Sequence, residues 1–160
     1  TNYKFFFLIY FKIQKFFFIK FFINLLGDIK WGLKMIGYFM YGTNNLEKSS
    51  KFYDSFLSEI EMVKVEDENE FIGYARKDDP KKTIFYITLP FDGGKASFGN
   101  GTMVAFKVLS QQIVDKVHEL AIKNGGINEG DPGIREGYDN MYFSYFRDLD
   151  NNKICVYSEL

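Results

Sequence analysis

The sequence predicts an α+β fold made of two copies of one module, in which a strand and a helix are followed by further strands. The first observation is an internal repeat, because residues 71–79 read against residues 142–150, 71 positions further along the chain. The second is that each copy places aromatic residues, an arginine and an acidic turn before another strand-like segment, which is the pattern of a β-hairpin. The third is that a strand-like segment and an amphipathic helix precede each hairpin. A duplicated module of this kind predicts one site between its two halves.

The helix of the first module is predicted over residues 46–60, because apolar residues recur there at helical spacing. Asn44 or Asn45 can cap its first turn. Its apolar face consists of Leu46, Tyr53, Phe56, Leu57 and Ile60. The strands of this module are predicted near residues 35–42, 61–67, 69–76 and 82–89.

The helix of the second module is predicted over residues 113–122, with Ser110 as its cap. Gly125 and Gly126 end this helix, because glycine accepts the left-handed backbone conformation. The glycine-rich segment 90–101 has the composition of a linker and separates the modules. The strands of this module are predicted near residues 101–109, 139–147 and 153–158, with a weak eighth strand around Ile127.

Composition and charge limit the class of protein. The 160 residues are 46% hydrophobic and 26% charged, which is typical of a globular chain of one domain. The single cysteine, Cys155, excludes an internal disulfide and predicts a reducing, cytoplasmic location. The net charge is −1, but six lysines and one acid in residues 1–34 leave residues 35–160 with a charge of −6. This acidic part argues against nucleic acid as a partner.

Residues 1–34 differ from the rest of the chain. They contain nine of the 19 phenylalanines, and Lys12, Lys15 and Lys20 interrupt their apolar runs. A membrane-spanning helix needs about 20 mostly apolar residues in a row, so these lysines argue against one. We expect an N-terminal extension that lies outside the functional domain; a peripheral membrane anchor is the alternative.

Residues 35–160 contain five short motifs: Met35-Ile36-Gly37-Tyr38, residues 42–48, Phe52-Tyr53, residues 99–104 and residues 146–153. These motifs resemble those of the vicinal oxygen chelate superfamily, which includes glyoxalase I, the bleomycin-resistance proteins and the extradiol dioxygenases. The resemblance extends to a small glyoxalase-like subgroup. It implies a single domain over 35–160, with one βαβββ module at about 35–92 and a second at about 99–160. The two modules would form a half-open, eight-stranded barrel around a shared cavity, in a chain that pairs as a homodimer.

The resemblance also implies where a metal would be bound, on the first and last strands of each module. Those positions hold Tyr38, Ile84, Met103 and Cys155 in this chain, and a slip of one residue would exchange Ile84 for Phe85. None of the segments 35–42, 83–89, 102–108 and 153–158 contains His, Asp, Glu, Asn or Gln. Because divalent metals in such sites need imidazole and carboxylate donors, we predict no metal and no cofactor.

Other residues could replace the missing ligands. Cys155 is predicted to be a small buried hydrophobic residue, and Glu159 lies at the frayed chain end. His118 is expected to be a half-exposed helix residue. The spacing of Asp148, Asp150, Asn152 and Glu159 matches a calcium-binding loop, but the hydrogen bonds of a hairpin turn explain it better.

The remaining candidates predict an apolar pocket with phenol groups at its edge. Arg147 is the predicted anion-seeking group at the rim, unless it pairs with Asp148 or Asp150. No nucleophile with a histidine base can be assembled, so catalytic residues stay undefined. Besides the four positions above, the candidate pocket residues are Phe85, Tyr86, Tyr145, Arg147 and Tyr157.

Three functions compete on these grounds. The preferred one is a metal-free domain of the bleomycin-resistance type that binds or sequesters an aromatic or cationic small molecule, since the charge of −6 favours a cation. The second is a metal-dependent enzyme, related to lactoylglutathione lyase, that uses atypical ligands. The third is a structural homodimer whose own side chains fill the cavity.

Overall fold

The computed structural model describes residues 36–138 and 140–160. Of these, Tyr38–Leu160 form one unit. The expected boundary between residues 34 and 35, and the expectations for residues 1–34, lie outside the described residues. The elements are β1 Phe39–Gly42, α1 Leu46–Leu57 with a 3-10 turn Ser58–Ile60, β2 Met62–Asp67, β3 Phe71–Arg76, β4 Asp79–Thr88, β5 Met103–Lys107, α2 Gln111–Lys123, β6 Ile127–Ile134, β7 Met141–Arg147 and β8 Lys153–Glu159.

The two modules have the same topology. The first sheet has the strand order β1-β4-β3-β2 and the second has the order β5-β8-β7-β6. The first and last strands of each module pair in parallel, β1 with β4 and β5 with β8, whereas the other pairs are antiparallel. The predicted α+β fold of two βαβββ modules is therefore confirmed, with eight strands in two open sheets that form a half-open barrel.

The helices pack against one face of the sheets, and aromatic side chains fill the space between them. On the first sheet, Phe85 lies with its ring centroid 4.9 Å from that of Tyr53 of α1. On the second sheet, Phe146 contacts Phe52 and Phe56 of the same helix. Since one helix contacts both sheets, the two modules share a single core.

Among residues 36–138 and 140–160, no helix lies on the opposite face of either sheet, and we call it the helix-free face. Side chains alternate between the two faces along each strand. On β5, Val104 and Phe106 pack into the core while Met103 is exposed. On β8, Ile154 and Val156 are fully buried in the core, so Cys155 and Tyr157 belong to the helix-free face.

A β-bulge in the first hairpin changes the face of its residues. Tyr74 pairs with Phe85 and Ala75 pairs with Thr83, so Ile84 is an extra residue in β4. Tyr74 donates a hydrogen bond to Asp54 of α1 and therefore lies on the helix side. In the second module, the residue that takes the corresponding position on the helix side is Phe146, 72 positions later. The repeat in sequence, with its spacing of 71, suggests Tyr145 instead.

The helix ends follow the sequence prediction with one difference. Asn45 caps α1 by accepting a hydrogen bond from the Lys48 amide at 2.9 Å. Gly125 ends α2 with a φ of +98°, and the Gly126 amide donates to the Ala121 carbonyl. Ser110 takes the N-cap position of α2, but its side chain makes no capping hydrogen bond.

The turn between β7 and β8 joins the two modules. Its Asp150 accepts hydrogen bonds from Thr43 and Asn44, which lie between β1 and α1. Asp148 accepts a hydrogen bond from the buried hydroxyl of Tyr53 at 2.7 Å. The side-chain amide of Asn152 donates a hydrogen bond from Nδ2 to the Gly42 carbonyl at 3.1 Å. The acidic turn of the second repeat is thus an inter-module contact.

Candidate functional site

An aromatic cluster covers the helix-free face of the first sheet. The Tyr86 ring on β4 makes edge contacts with Tyr38 and Phe71, at centroid distances of 5.5 and 5.8 Å. Tyr38 is 59% exposed, and the neighbouring Met40, which pairs with Tyr86, is 50% exposed. The Tyr86 hydroxyl donates to the Glu66 carboxylate at 3.2 Å, and the Thr83 hydroxyl donates to the same oxygen. This cluster places one carboxylate beside partly exposed rings.

A second aromatic cluster covers the helix-free face of the second sheet. The Phe143 ring stacks on Tyr145 at 6.0 Å and on Tyr157 at 5.8 Å. Tyr138 meets Phe143 edge-on at 5.7 Å. Two cations, Arg135 and Lys153, lie 5.4 and 5.5 Å from the centroid of the Tyr145 ring, within range of a cation–π interaction.

The four residues at the expected metal positions lie in different environments. Tyr38 and Met103 are exposed on the helix-free face, whereas Cys155 is buried beside Tyr145. Ile84 is the bulge residue of β4 and packs against the hydrophobic core, so its assignment to the pocket is corrected. Thr83 takes the place beside Tyr86 on the helix-free face that the sequence reasoning assigned to Ile84.

Phe85 is also corrected. Its side chain is fully buried and contacts Tyr53, Tyr74 and Phe106 in the shared core. The side chain therefore faces the helix and lines no pocket. The other candidates Tyr86, Tyr145 and Tyr157 are half-buried members of the two aromatic clusters.

The donor chemistry of these positions does not fit a divalent metal. Burial raises the pKa of the Cys155 thiol to about 11, and the charges that act on the sulfur come from two cations, Arg135 and Lys153. Tyr38, Tyr86 and Met103 offer neither imidazole nor carboxylate. Within residues 36–138 and 140–160, no group of three His, Cys, Asp or Glu side chains is arranged to hold a metal ion.

His118 is buried, and the expectation of a half-exposed residue is wrong. It lies one helical turn after Val114 on the face of α2 that meets the sheet, and its ring contacts Phe146 at 6.2 Å. Its Nε2 atom is 3.9 Å from the Asp131 carboxylate, and its Nδ1 atom has no hydrogen-bond partner in the described structure. Burial lowers the pKa of His118 and favours the neutral ring.

Arg147 pairs with an acid that sequence reasoning did not consider. Its Nε atom donates to Glu129 of β6 at 2.6 Å, and its Nη1 atom donates to the Asn151 carbonyl. Neither Asp148 nor Asp150 is its partner. Glu129 also lies 3.4 Å from Lys153, so one carboxylate serves two cations.

The acidic turn has no coordination capacity left for calcium. Each oxygen of Asp148 accepts two hydrogen bonds, from Tyr53, the Asn152 side chain and two backbone amides of the turn. Each oxygen of Asp150 likewise accepts two, from Asn44, Thr43 and Ser49. The preferred explanation by hairpin chemistry is confirmed for Asp148, whose carboxylate binds its own turn.

Three charged residues of the clusters were not predicted from the sequence: Lys153 at the start of β8, Glu66 and Arg135. Glu66 lies on β2, which is neither the first nor the last strand of its module, so the resemblance implies no ligand there. Arg135 follows β6, a segment that contains Gly130, Pro132 and Gly133 and gave only a weak strand signal. The sequence offered no periodic signal for Glu66 or Arg135, because bulges interrupt both strand pairs.

No helix within the described residues is long and apolar enough to cross a membrane.

Comparison with known proteins identifies the family. No protein-family model and no curated protein matches the chain. Among solved structures, a glyoxalase/bleomycin resistance protein from Albidiferax ferrireducens T118 is 36% identical over 79% of this chain and 99% of its own, with a TM-score of 0.70. A glyoxalase-related enzyme from Fulvimarina pelagi is 18% identical over 78% of this chain and 87% of its own (TM-score 0.62), and a fosfomycin resistance protein from Mesorhizobium loti is 16% identical over 77% and 90% (TM-score 0.55). These two share the fold. The first, which is 36% identical and aligned over 99% of its own length, shows that the chain belongs to the glyoxalase/bleomycin resistance protein family.

Proposed function

We propose that this chain binds a small aromatic molecule on its helix-free face without the help of a metal ion. The observation that carries the proposal is the cluster of Tyr38, Phe71 and Tyr86, whose rings are partly exposed on a sheet face. Small-molecule sites are mostly apolar and contain a few placed polar groups. Glu66 and the tyrosine hydroxyls are such groups here.

The absence of metal donors at the family positions supports a binding function over metal chemistry. Tyr38, Met103 and Cys155 offer a phenol, a thioether and a buried thiol there, and Ile84 offers no donor. These groups cannot polarise a substrate as a bound metal does. The described part of the chain also offers no serine or cysteine paired with a histidine base, because His118 faces the core of its own module.

Ligand binding is tested by thermal unfolding of the full chain with a panel of aromatic compounds. A ligand that binds only the folded state raises the melting temperature by mass action. For a ligand that binds at the aromatic cluster of the first sheet, Tyr86→Ala should abolish this increase. Phe91→Ala, which removes a fully exposed ring from the loop between the modules, should leave it unchanged. If no compound raises the melting temperature of the wild type, the proposal is wrong.

A metal-dependent enzyme related to lactoylglutathione lyase is the alternative that these measurements must exclude. Elemental analysis of the purified full chain separates the two functions. We expect no stoichiometric Ni, Zn, Mn or Fe. One metal ion per chain, together with lactoylglutathione formation that a chelator abolishes, would favour the enzyme.

The third candidate is a structural homodimer whose own side chains fill the cavity, so that a second copy and not a ligand covers the exposed part of the helix-free face. The exposure of Met40 and Met103, at 50% and 44%, favours a partner of some kind at this surface. Sedimentation equilibrium of wild type and Met103→Lys decides whether the partner is a second copy. A dimer that the substitution dissociates, combined with no ligand response, would favour the structural function.

A further inference from the structure

We propose that the ligand carries a negatively charged group, a carboxylate, phosphonate or phosphate, and that Arg135 binds it beside the Tyr145 ring. This inference rests on the proposed function and specifies its ligand. It differs from the expectation of a cationic ligand, which followed from the summed charge of −6 on residues 35–160.

The guanidinium group of Arg135 is held in place without a carboxylate. Its Nη2 atom donates to the Asp131 carbonyl at 2.5 Å and its Nη1 atom donates to the Ile134 carbonyl at 3.3 Å. Its carbon Cζ lies 5.4 Å from the centroid of the Tyr145 ring. Among residues 36–138 and 140–160, no acidic side chain forms an ion pair with it. A fixed, half-buried cation with N–H groups to spare is a receptor for a planar anion.

Two glycines of β6 make room for this arrangement. A Cβ atom at Gly130 would lie 3.0 Å from the Tyr145 ring and 3.3 Å from Arg135 Nη2. A Cβ atom at Gly133 would lie 3.1 Å from Arg135 Nη1. All three distances are tighter than ordinary Cβ contacts, so a larger residue at either position would force the guanidinium group or the Tyr145 ring to shift. The observed position of the guanidinium group therefore depends on two residues without side chains.

Three cations lie near the Tyr145 ring although residues 35–160 have a net charge of −6. Arg147 and Lys153 share one carboxylate, that of Glu129, and Arg135 is the third cation. Two further acids of this region have partners of their own, because Glu159 pairs with Lys107 and the Asp131 carboxylate accepts a hydrogen bond from Asn128. Charges further away are screened over about 10 Å at ordinary ionic strength. The guanidinium group of Arg135, which forms no ion pair within the described residues, thus favours an anion at the position where a ligand would touch Tyr145.

The rings beside Arg135 specify the rest of the ligand. Tyr138 is 57% exposed, and Tyr145 and Tyr157 are half-buried around Phe143. An aromatic group could stack on these rings while its acidic group accepts hydrogen bonds from the guanidinium group. The predicted ligand class is therefore an aromatic acid.

Four probes with the same ring separate the possible ligand charges. They are phenylphosphonate and phenylacetate, which are anions, benzyl alcohol, which is neutral, and benzyltrimethylammonium, which is a cation. Binding to the full chain is measured by titration in ¹H–¹⁵N spectra. Hydrogen bonds to a charged group are worth a factor of about 10 to 100 in affinity, so the anions should bind at least about 10-fold more tightly than the alcohol.

Variants test whether Arg135 causes the preference for anions. Arg135→Gln should weaken phenylphosphonate binding about 10-fold or more while it changes benzyl alcohol binding less than about twofold. Arg135→Lys should retain part of the affinity. Arg76→Gln removes an equal charge from the β3–β4 hairpin, where Arg76 pairs with Asp78, and should change neither. In the wild type, phenylphosphonate should shift the Nε–H signal of Arg135 and not that of Arg76, a result that needs no variant to fold.

The outcomes distinguish this inference from the proposed function. Any of three results would overturn the inference and leave the proposed function in place. The first is that the anions bind no more tightly than benzyl alcohol, and the second is that benzyltrimethylammonium binds more tightly than the anions. The third is that Arg135→Gln leaves the phenylphosphonate affinity unchanged. Failure of all four probes to bind would overturn both.

Discussion

Cys155 shows how one residue of the expected metal site is made unreactive. Its side chain is 2% exposed, and burial raises the pKa of its thiol from 9.0 to about 11. Because the thiolate is the reactive form, at pH 8 about one thiol in a thousand can react, against about one in ten for an ordinary cysteine. We expect Ellman's reagent to label the folded chain at least about 100-fold more slowly than the chain in 8 M urea.

The same pKa determines how labelling depends on pH. Between pH 8 and 10 the rate in the folded state should rise about tenfold per pH unit, because the thiolate fraction rises in that proportion below the pKa. The unfolded chain is the internal control, since Cys155 is the only cysteine of the sequence. Equal rates in the two states would contradict the burial of this thiol.

Asp148 is the residue on which the junction between the modules most depends. It is buried, and the loss of hydration raises the pKa of its carboxyl group despite four hydrogen bonds. Asp148→Ala should lower the free energy of unfolding by about 3 kcal/mol, because it leaves the buried Tyr53 hydroxyl and two amides without an acceptor. Urea unfolding followed by circular dichroism measures the difference.

The control for this substitution is Asp67→Ala on β2, whose exposed carboxylate lies 3.7 Å from Lys64. Exposed ion pairs of this kind contribute about 0 to 1 kcal/mol, so this variant should unfold almost like the wild type. Equal effects of the two substitutions would mean that Asp148 is an ordinary turn residue.

Among the elements, the two helices offer a direct comparison of their first turns. The sequence predicts a cap for each, yet only Asn45 accepts the capping hydrogen bond. Asn45→Ala should therefore cost about 1 kcal/mol of unfolding free energy. Ser110→Ala should cost less than half of that, because no capping bond is lost. Denaturant unfolding of both variants tests this, and a larger loss for Ser110→Ala would contradict the described geometry of α2.

The order and type of the elements could be predicted from the sequence, whereas the faces of some strands could not. Periodicity places Phe56 on a buried helix face, and Cys155 is buried as its residue type predicts. The bulge at Ile84 adds one residue to β4, and the sequence carries no sign of it. Because of that residue, Ile84 packs against the core, and Thr83 takes its place beside Tyr86 on the helix-free face.

The candidate site was predictable only where it lies on regular strands. Tyr86, Tyr145 and Tyr157 follow from the strand pattern and the resemblance. Arg135 depends on the irregular course of β6, whose register with β7 shifts twice between Asn128 and Gly133. Since side-chain direction after such shifts is set by tertiary contacts, the sequence alone cannot place this arginine.

For the molecule as a whole, contacts between the modules suggest one cooperative unit. The Tyr41 hydroxyl donates to the Lys153 carbonyl at 2.7 Å and accepts from the Val104 amide at 2.9 Å, so β1 is tied to β8 and β5. The Phe39 ring contacts Phe106 at 5.8 Å across the same boundary. Separating the sheets would leave these polar groups without partners and expose the rings, which costs free energy. The two modules should therefore unfold together.

These contacts between the modules predict that residues 35–160 fold without residues 1–34. The core described above runs from Tyr41 to Val156 and includes both helices and both sheets. A chain of residues 35–160 should therefore show one unfolding transition, with a melting temperature within a few degrees of the full chain, because about 1 kcal/mol corresponds to a shift of about 2–8 °C. Differential scanning calorimetry of both chains measures this. Insolubility of the shorter chain, or loss of its cooperative transition, would show that residues 1–34 contribute to the folded structure.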